Sequence, residues 1–418
     1  MAGETSAAEP PQSANSAHAG GSEAAKPRAW GGHDKPHAEI SGAGYAGLTA
    51  AVALAQRGWS VRMHEKRHTL GSFGAGIVMW ENALRVLRAI GAFEEVAKKS
   101  FTPPFYETRM HNETVALEPF DRDPWATMTR QHLYDAMLAQ ARPLDIEILH
   151  DSEVVSADPD GTVTLGSGRT IKADLVVGAD GVGSNVRDSV GFAVERNKAR
   201  DGLIRMIVPR CRRELGREAF WDNVIDFWNF EPRVQRILYV PANENDLYIG
   251  LMAPYGSDGS IVPIKLEVWL DMFPFLEPVL REAVHAPGRY DRYETTVLNA
   301  WTKGRVALVG DAGHAMTPSL AQGAACAMMN ALSLAVYMED GASNVEERLK
   351  EWERNERPLT DRTQRRSAKL TAERALSKGE WVNDELMETM RHIPTGASAD
   401  PLPGFPRRIA TAPQAAKV

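Results

Sequence analysis

Cysteine, excess basic charge and long apolar runs are all missing or scarce in this sequence of 418 residues. Only Cys211 and Cys326 are present, too few for a disulfide scaffold, so a reducing cytoplasm is the expected location. Lys and Arg number 48 against 55 Asp and Glu, giving a formal net charge of −7, which argues against a surface that coats nucleic acid. No run of about 18 apolar residues occurs, so no membrane-spanning helix is predicted.

The two ends of the chain differ in composition from its middle. Residues 1–36 are rich in Ala, Gly, Ser, Pro, Glu and His and carry neither the charged start nor the apolar centre of a secretory signal. Such a segment buries too little apolar surface to offset its ordering entropy, so it is predicted to be a disordered tail. Residues 391–418 are rich in Pro, Gly and Ala and are predicted to be loose.

The first ordered pattern is a strand, a glycine turn, a helix and a second strand. Residues 38–41 form a short apolar strand, and Gly42-Ala-Gly-Tyr-Ala-Gly47 follows it directly. An Ala- and Leu-rich helix over 48–57 comes next, and a second strand over 59–64 ends at an acidic residue. This order is typical of a dinucleotide-binding unit, and it is far more specific than a glycine motif alone.

Each residue type in this pattern has a chemical reason. Gly42 allows the tight turn, Gly44 lets the backbone approach a pyrophosphate, and Gly47 lets helix and strand pack closely. The helix N-terminus offers N–H groups to the anion. Glu65, 21 residues beyond Gly44, can accept the ribose hydroxyls. The pattern therefore predicts a bound dinucleotide without saying which one.

Two later stretches repeat the theme of a strand that runs into a turn with an acidic residue. A buried strand over 175–177 precedes Asp180, and a strand over 306–309 precedes Asp311. Asp311 would lie at the carboxyl end of its strand, within reach of a ribityl or ribose hydroxyl. A long helix begins near Gly323, and its N-terminus could face the electron-rich edge of a flavin. Taken singly, either Asp is more often a turn or capping residue.

In this order, the three motifs resemble those of the single-component FAD-dependent aromatic hydroxylases, the para-hydroxybenzoate hydroxylase group, over residues 37–380. The resemblance implies a bound FAD, with NADH as a reductant that visits the flavin domain. Arg130 matches the family arginine that approaches the flavin diphosphate. The predicted cofactor-binding residues are Gly42, Gly44, Gly47, Glu65, Lys66, Arg130, Asp180, Asp311, Gly323 and Ala324.

Four consecutive strands without helices between them predict an antiparallel sheet that roofs the flavin. They cover residues 203–208, 224–230, 234–240 and 247–252. Side chains two residues apart share a face, so Arg205 and Arg236 each lie on an otherwise apolar face. A guanidinium there is costly unless an anion meets it. That anion could be a ligand, or an Asp or Glu in a buried ion pair, and a solvated edge strand is a third possibility.

Further stretches resemble one subgroup of the family, the oxygenases of 2-methyl-3-hydroxypyridine-5-carboxylate. They include Asp201-Gly-Leu-Ile-Arg205 and Arg233-Val-Gln-Arg236. In that subgroup, the residues that match Arg205, Arg236, Tyr106 and Tyr248 line the substrate site, so these four are the predicted catalytic residues. Val78 stands where the subgroup has a pocket tyrosine, and the exact substrate is therefore left open.

The predicted architecture is an α/β fold: a Rossmann-like FAD-binding domain that carries a β-sheet substrate domain, as in para-hydroxybenzoate hydroxylase. The predicted FAD-binding segments are 37–100, 120–200 and 285–345, the substrate segments are 101–119 and 201–284, and 346–390 is a helical region. A charged helix from Val345 is expected to break at Pro358.

The resemblance implies a monooxygenase that uses NADH and O₂ on a small anionic hydroxypyridine, such as 5-hydroxynicotinate, with opening of the ring. Two alternatives stay open: hydroxylation of another aromatic acid without ring opening, and a flavin-binding redox sensor. No zinc-ligand spacing, Ser-His-Asp order or carboxylate pair stands out, so no metal is predicted. His314, beside the Gly-Asp motif, is expected to be structural.

Overall fold

The computed structural model describes residues 35–72, 75–119, 123–216, 218–374 and 384–404. The predicted N-terminal tail therefore lies outside the described residues, except for its last two positions, and so do residues 405–418. Within the described ranges, no helix has both the length and the apolar character that crossing a membrane requires.

The strands of the described residues are β1 (His37–Ser41), β2 (Ser60–His64), β3 (Gly76–Trp80), β4 (Tyr106–Met110), β5 (Glu113–Glu118), β6 (Trp125–Thr129), β7 (Glu147–Leu149), β8 (Val154–Ala157), β9 (Thr162–Leu165), β10 (Thr170–Lys172), β11 (Leu175–Gly178), β12 (Val194–Pro209), β13 (Val224–Asn229), β14 (Gln235–Pro241), β15 (Asp246–Pro254), β16 (Arg289–Leu298), β17 (Thr302–Lys303) and β18 (Val306–Leu308). The α-helices are α1 (Tyr45–Gln56), α2 (Glu81–Ala89), α3 (Phe93–Lys98), α4 (Arg130–Ala141), α5 (Asn185–Val190), α6 (Arg212–Leu215), α7 (Leu266–Leu270), α8 (Glu277–His285), α9 (Asp311–His314), α10 (Gly323–Tyr337), α11 (Val345–Arg374) and α12 (Asp384–Met390).

A six-stranded sheet carries the dinucleotide motif. Its order is β17-β18-β11-β1-β2-β7, and every pair is parallel except β17 with β18. β11 and β18 are short apolar runs, as expected when helices or other layers cover both faces of a parallel sheet, whereas β1 and β2 also carry charged side chains. A three-stranded antiparallel sheet, β10-β9-β8, follows β7 in the chain. The predicted Rossmann-like α/β architecture is confirmed.

A seven-stranded sheet, in the order β16-β12-β15-β14-β13-β4-β5, contains the strands predicted over 201–253. They pair antiparallel, as predicted, and β4 joins them parallel to β13. One face packs Ile204, Ile237 and Ile249 against Trp269 of α7 and Leu280 of α8. The alternate residues, which include both predicted arginines, project from the other face.

One strand pair crosses the predicted domain boundaries. β12 begins at Val194 and pairs with β16, which covers residues 289–298, with an irregularity between Lys198 and Gly202. The predicted substrate segment 201–284 therefore contains only part of this pair. The division into domains stays a prediction.

Two expectations for the C-terminal part are wrong. α11 continues through Pro358 without ending there. Residues 391–404 are not loose, because Arg85 of α2 donates to the carbonyl oxygens of Ser398 (2.6 Å) and Asp400 (2.9 Å), and Leu402 is buried. Backbone carbonyls of an irregular segment thus satisfy a buried guanidinium, a contact that composition does not reveal.

Candidate active site

The glycine turn after β1 depends on close backbone approaches. Gly42 has φ = +98°, and a Cβ there would lie 2.4 Å from the carbonyl oxygen of Ala179. A Cβ on Gly47 would lie 2.0 Å from the carbonyl oxygen of Gly42. Both positions therefore require glycine. A Cβ on Gly44 would meet nothing within 4 Å, so open space adjoins the backbone at this point.

The start of α1 and the end of β2 face this space together. Gly44 is the N-cap of α1 and has no side chain to occupy the first N–H groups, which suit an anion. Glu65 follows β2, and its Oε2 accepts a hydrogen bond from the Ala43 N–H at 3.1 Å, while Oε1 accepts from the Arg67 N–H at 3.0 Å. The carboxylate is thereby fixed beside the turn, with exposed Lys66 next to it.

Asp180 has a capping role at the start of α5. Its Oδ1 accepts the Ser184 hydroxyl at 2.5 Å, and its Oδ2 accepts the Val186 N–H at 3.2 Å. Burial raises the pKa of the Asp180 carboxyl, and these hydrogen bonds oppose the rise. The carboxylate also lines the cleft beside Gly181. The contact of Asp180 with a cofactor stays a prediction.

Asp311 has no such partners. Within the described residues, no hydrogen bond or ion pair reaches its carboxylate, and the residue is exposed. The surrounding protein raises the pKa of this carboxyl by desolvation, and the guanidinium groups of Arg130 and Arg205 oppose the rise. An accessible acceptor at the carboxyl end of a strand is suited to a ligand hydroxyl.

A second unsatisfied group lies before α10. Gln322 is fully buried, and its Oε1 accepts from Asn82 Nδ2 at 2.8 Å, but its Nε2 has no acceptor among the described residues. Gly323 and Ala324 follow at the half-buried start of the helix. A buried N–H without an acceptor leaves a donor that a ligand atom or a bound water could meet.

One cleft joins most of the predicted cofactor residues. Its lining includes Gly42, Gly44, Glu65, Lys66, Arg130 and Asp180, together with Tyr45 and Arg205. Gly47 packs beneath the turn. Arg130 is held by Nε donation to the Gly76 carbonyl at 3.3 Å and lies over the Tyr45 ring at 6.0 Å. The open backbone at Gly44, the acceptor at Asp311 and the unsatisfied donor of Gln322 together fit a flavin dinucleotide.

On the seven-stranded sheet, Arg236 has an acidic partner. Its Nε and Nη2 donate to Oδ1 and Oδ2 of Asp226 at 2.5 and 3.0 Å, and its guanidinium lies 5.2 Å from the Trp228 ring centroid. Asp226 is fully buried and Arg236 is nearly so. Of the three environments considered for Arg236, the structure therefore shows the buried ion pair with an acidic side chain.

Arg205 also meets an acid. Its Nη2 donates to Asp291, which Arg289 contacts as well, and Arg289 lies directly across from Arg205 in the sheet. The Nε of Arg205 is buried and has no acceptor among the described residues. Buried Asp201 lies four residues before Arg205 on the same face of β12, so three carboxylates match these three arginines in number. The buried Nε of Arg205 is a donor on this face that an anion could meet.

Three tyrosines accompany these charges. Tyr106 donates its hydroxyl to Asp226 Oδ2 at 3.2 Å. Tyr248 packs so closely on β3 that a Cβ at Gly76 would lie 2.3 Å from its own Cβ. Tyr293 was not predicted from the sequence. It lies two residues beyond Asp291 on β16 and therefore shares its face of the sheet. Its buried hydroxyl has no partner among the described residues, and burial raises its pKa.

An apolar cluster, the apolar wall, packs on the same face of the seven-stranded sheet as these polar groups. It consists of Ala75, Val78, Trp80, Trp125, Val224, Val240, Tyr248, Met387 and Met390. The two methionines come from α12, which the sequence analysis did not place at the site. Val78 is among the wall residues and presents no polar atom there.

His314 lies outside this arrangement. It is buried against Trp301, with ring centroids 5.0 Å apart, and its Nε2 is 3.0 Å from Asn330 Nδ2. Burial lowers the pKa of His314 to about 4. This packing agrees with a structural role, which stays a prediction. No group of three His, Cys, Asp or Glu suited to a metal occurs within the described residues.

The fold and the cleft define a class, the FAD-binding flavoproteins with an antiparallel sheet over the cofactor domain. The profile of the FAD binding domain family matches residues 37–255 and 280–367, and the chain belongs to this family. The resemblance found in the sequence is confirmed, and the protein is an enzyme of the flavin-dependent monooxygenase type.

The particular relatives are close to the predicted subgroup. A solved tetrameric form of 2-methyl-3-hydroxypyridine-5-carboxylic acid oxygenase is 56% identical, covers 88% of this chain and 99% of its own, and superposes with a TM-score of 0.84. A putative 2-heptyl-3-hydroxy-4(1H)-quinolone synthase from Rhodococcus erythropolis is 35% identical over 78% of this chain and 86% of its own. The 6-hydroxynicotinate 3-monooxygenase of Pseudomonas fluorescens is 27% identical over 83% and 94%.

Proposed function

We infer that this enzyme uses FAD, NADH and O₂ to oxygenate a small 3-hydroxypyridine carboxylate, with opening of the ring. The observation that carries the substrate class is the pair of guanidinium groups of Arg205 and Arg236 on one sheet face, beside an apolar wall, with a buried Arg205 Nε that has no acceptor among the described residues. The 56% identical oxygenase, whose name states a hydroxypyridine carboxylate, supports the same class.

The cofactor would be held by groups already described. The N–H groups at the start of α1 would meet the diphosphate, Glu65 the adenosine ribose, and Asp311 a hydroxyl of the ribityl chain. Arg130, anchored on Gly76, would add positive charge at the diphosphate. Bound flavin, once reduced by NADH, supplies the two electrons that activate O₂.

The chain itself contributes substrate binding, orientation and exclusion of water. The substrate carboxylate would be bound by the unsatisfied Nε of Arg205 and the remaining N–H groups of Arg236. Asp226 holds the Arg236 guanidinium in one orientation from behind, and Tyr293 offers a hydroxyl to the ring substituents. The wall from β3, β13 and α12 keeps water from the reacting atoms.

A second candidate, hydroxylation without ring opening, is favoured by the relative whose name states a 3-monooxygenase of 6-hydroxynicotinate. Val78 also gives the pocket an apolar group rather than a hydroxyl at this point. Both candidates need the same anion-binding face and differ only in the fate of the ring.

NADH oxidation by the FAD-loaded protein tests the proposal, measured with 5-hydroxynicotinate, its 2-methyl analogue, 6-hydroxynicotinate and the matched carboxamide of each. Stimulation by an acid but not by its amide, with loss of the ring's ultraviolet band, is expected. A shifted band would mean simple hydroxylation. Bound FAD without stimulation by any acid would overturn the substrate class and favour the redox-sensor alternative.

A further inference from the structure

A buried ionic cluster lies directly beneath the dinucleotide turn. Glu39, at the centre of β1, is 1% exposed, and Arg62 and His64 of β2 are 0% and 1% exposed. His37 completes the group on β1 and is also buried. A carboxylate in the middle of a parallel sheet is costly to bury, because neighbouring strands normally offer only apolar side chains there.

Glu39 is bound from three directions. Its Oε1 accepts from His37 Nε2 at 2.9 Å and from Arg62 Nη1 at 3.1 Å, and its Oε2 accepts from His64 Nε2 at 2.7 Å. Arg62 also donates to Glu147 of β7 at 2.7 Å. Burial alone would raise the pKa of Glu39, but hydrogen bonds from both histidines and their positive charge lower it to about 2. Glu39 is therefore ionised in the folded protein at neutral pH.

Hydrogen bonds extend from this cluster to Glu65, the acid that is predicted to bind the ribose. The Nδ1 of His64 lies 2.7 Å from Ser152 Oγ, and the Ser152 N–H donates to the carbonyl oxygen of Glu65 at 3.0 Å. The carbonyl oxygen of His64 accepts the Gly42 N–H at 2.8 Å. The His64 imidazole thus connects Glu39 to Ser152, which contacts the backbone of Glu65, while the backbone carbonyl of His64 connects the end of β2 to the glycine turn.

We propose that Glu39 is a positioning residue for the adenosine half of the cofactor, acting through His64 and Ser152 to hold Glu65 at the ribose. The inference rests on the proposed FAD site at Glu65. Glu39 touches no ligand itself. Its contribution is to fix the rotamer of His64, which faces the cleft between the glycine turn and Ser152.

The alternative is that the cluster stabilises the sheet and nothing more. Glu147 offers a matched control, because it shares Arg62 with Glu39 but has no contact with His64. Glu147→Gln removes one partner of the same guanidinium while the path to Glu65 stays intact. Glu39→Gln places an amide N–H where three donors converge, so at least one of them loses its acceptor.

The test is flavin affinity of the full chain stripped of FAD, measured by quenching of flavin fluorescence with FAD and, separately, with FMN, which lacks adenosine. For Glu39→Gln, the dissociation constant for FAD should rise about 10-fold or more while that for FMN stays within about 2-fold. Glu147→Gln should lower the melting temperature of the stripped protein and leave the ratio of FAD to FMN affinity unchanged.

Two further variants separate the possible failures. Glu65→Gln should weaken FAD binding, and the Glu39→Gln/Glu65→Gln double variant should bind FAD no more weakly than Glu65→Gln alone, since one acts through the other. Ser152→Ala breaks the same path with little risk to the fold, and it should weaken FAD but not FMN by about 3-fold.

Equal loss of FAD and FMN affinity in Glu39→Gln, or additive effects in the double variant, would overturn the inference and leave the FAD site standing. Should Glu39→Gln fail to fold, unchanged FAD affinity in Ser152→Ala would overturn it. If Glu65→Gln binds FAD as well as the original chain does, the proposed site at Glu65 fails, and the role of Glu39 fails with it.

Discussion

The two halves of the candidate site differ in the groups that they offer to a ligand. At the cofactor side, the ligand-facing groups are largely backbone: the turn at Gly42, the N-terminus of α1 and the start of α10. On the seven-stranded sheet, they are side chains held in ion pairs, Arg236 with Asp226 and Arg205 with Asp291. A backbone site is fixed by local spacing, whereas a side-chain site depends on the register between distant strands.

Because of this difference, substitutions in the two halves should affect binding and stability in different ways. A backbone site tolerates changes of neighbouring side chains but not an added Cβ at a close approach. A paired side-chain site tolerates little change of charge, because removal of one partner leaves the other buried and unpaired. The four predictions below test this contrast, and they run from the largest expected effect to the smallest.

Gly42→Ala should remove FAD binding altogether or prevent folding, because the new Cβ would lie 2.4 Å from a backbone oxygen at a φ of +98°. Gly44→Ala is the matched variant. It should fold with an unchanged melting temperature, since its Cβ meets nothing within 4 Å, but bind FAD about 10-fold or more weakly because the methyl occupies the phosphate approach. Thermal unfolding with and without FAD measures both, and unimpaired FAD binding by Gly44→Ala would contradict the backbone description.

Arg236→Ala should destabilise the protein by about 3–5 kcal/mol, since it leaves the fully buried Asp226 carboxylate unpaired. Arg205→Ala should cost less, because Arg289 still meets Asp291. Denaturant unfolding gives both values. If the double variant Arg236→Met/Asp226→Leu is not more stable than Arg236→Ala, the loss in the single variant does not come from an unpaired charge.

On the cofactor side, the cluster at Glu39 consists of charged side chains rather than backbone groups. Its contribution to stability can be tested by its dependence on pH. The pKa of Glu39 is about 2 in the folded protein against an ordinary value of 4.5, so its stabilising effect is complete above about pH 4.5 and is lost as pH falls toward 2. The difference in unfolding free energy between the original chain and Glu39→Gln should be roughly 3 kcal/mol at pH 6 and shrink by about half at pH 3. A difference that stays constant with pH would contradict this assignment.

Tyr106→Phe should have the smallest effect. It removes one hydroxyl that donates to Asp226 at 3.2 Å, while the two bonds from Arg236 remain. The expected cost is about 1 kcal/mol, seen as a few-fold increase in KM for the aromatic acid with kcat nearly unchanged. A large fall in kcat would place the Tyr106 hydroxyl at the reacting atoms instead.

The contrast also explains how much could be predicted from the sequence. The glycine turn after β1, Glu65 after β2, Asp311 after β18 and the strands of the antiparallel sheet follow from local spacing and alternation. The contacts of these residues with a cofactor stay predictions. Because β1, β11 and β18 are parallel neighbours, their carboxyl ends meet at one edge of the sheet.

The partners of the arginines could not be predicted. Arg236 meets Asp226 because β13 and β14 pair with Leu238 opposite Asp226, and nothing in the spacing fixes that register. Asp291 and Tyr293 lie in the segment 285–345, which was predicted to belong to the FAD-binding domain, whereas β16 pairs with β12 in the seven-stranded sheet. The methionines of α12 reach the site from the far end of the chain, through contacts of Asn82 with Thr389 that no local pattern shows.

Transfer of oxygen from O₂ is the most direct test of the account. The FAD-loaded protein is supplied with NADH, ¹⁸O₂ and 5-hydroxynicotinate or its 2-methyl analogue, and the product is analysed by mass spectrometry. We predict a product that carries one labelled atom from O₂, accompanied by a second, unlabelled oxygen atom from water if the ring opens. Oxidation of NADH that yields only hydrogen peroxide with every aromatic acid tested, or product oxygen that comes only from water, would contradict it.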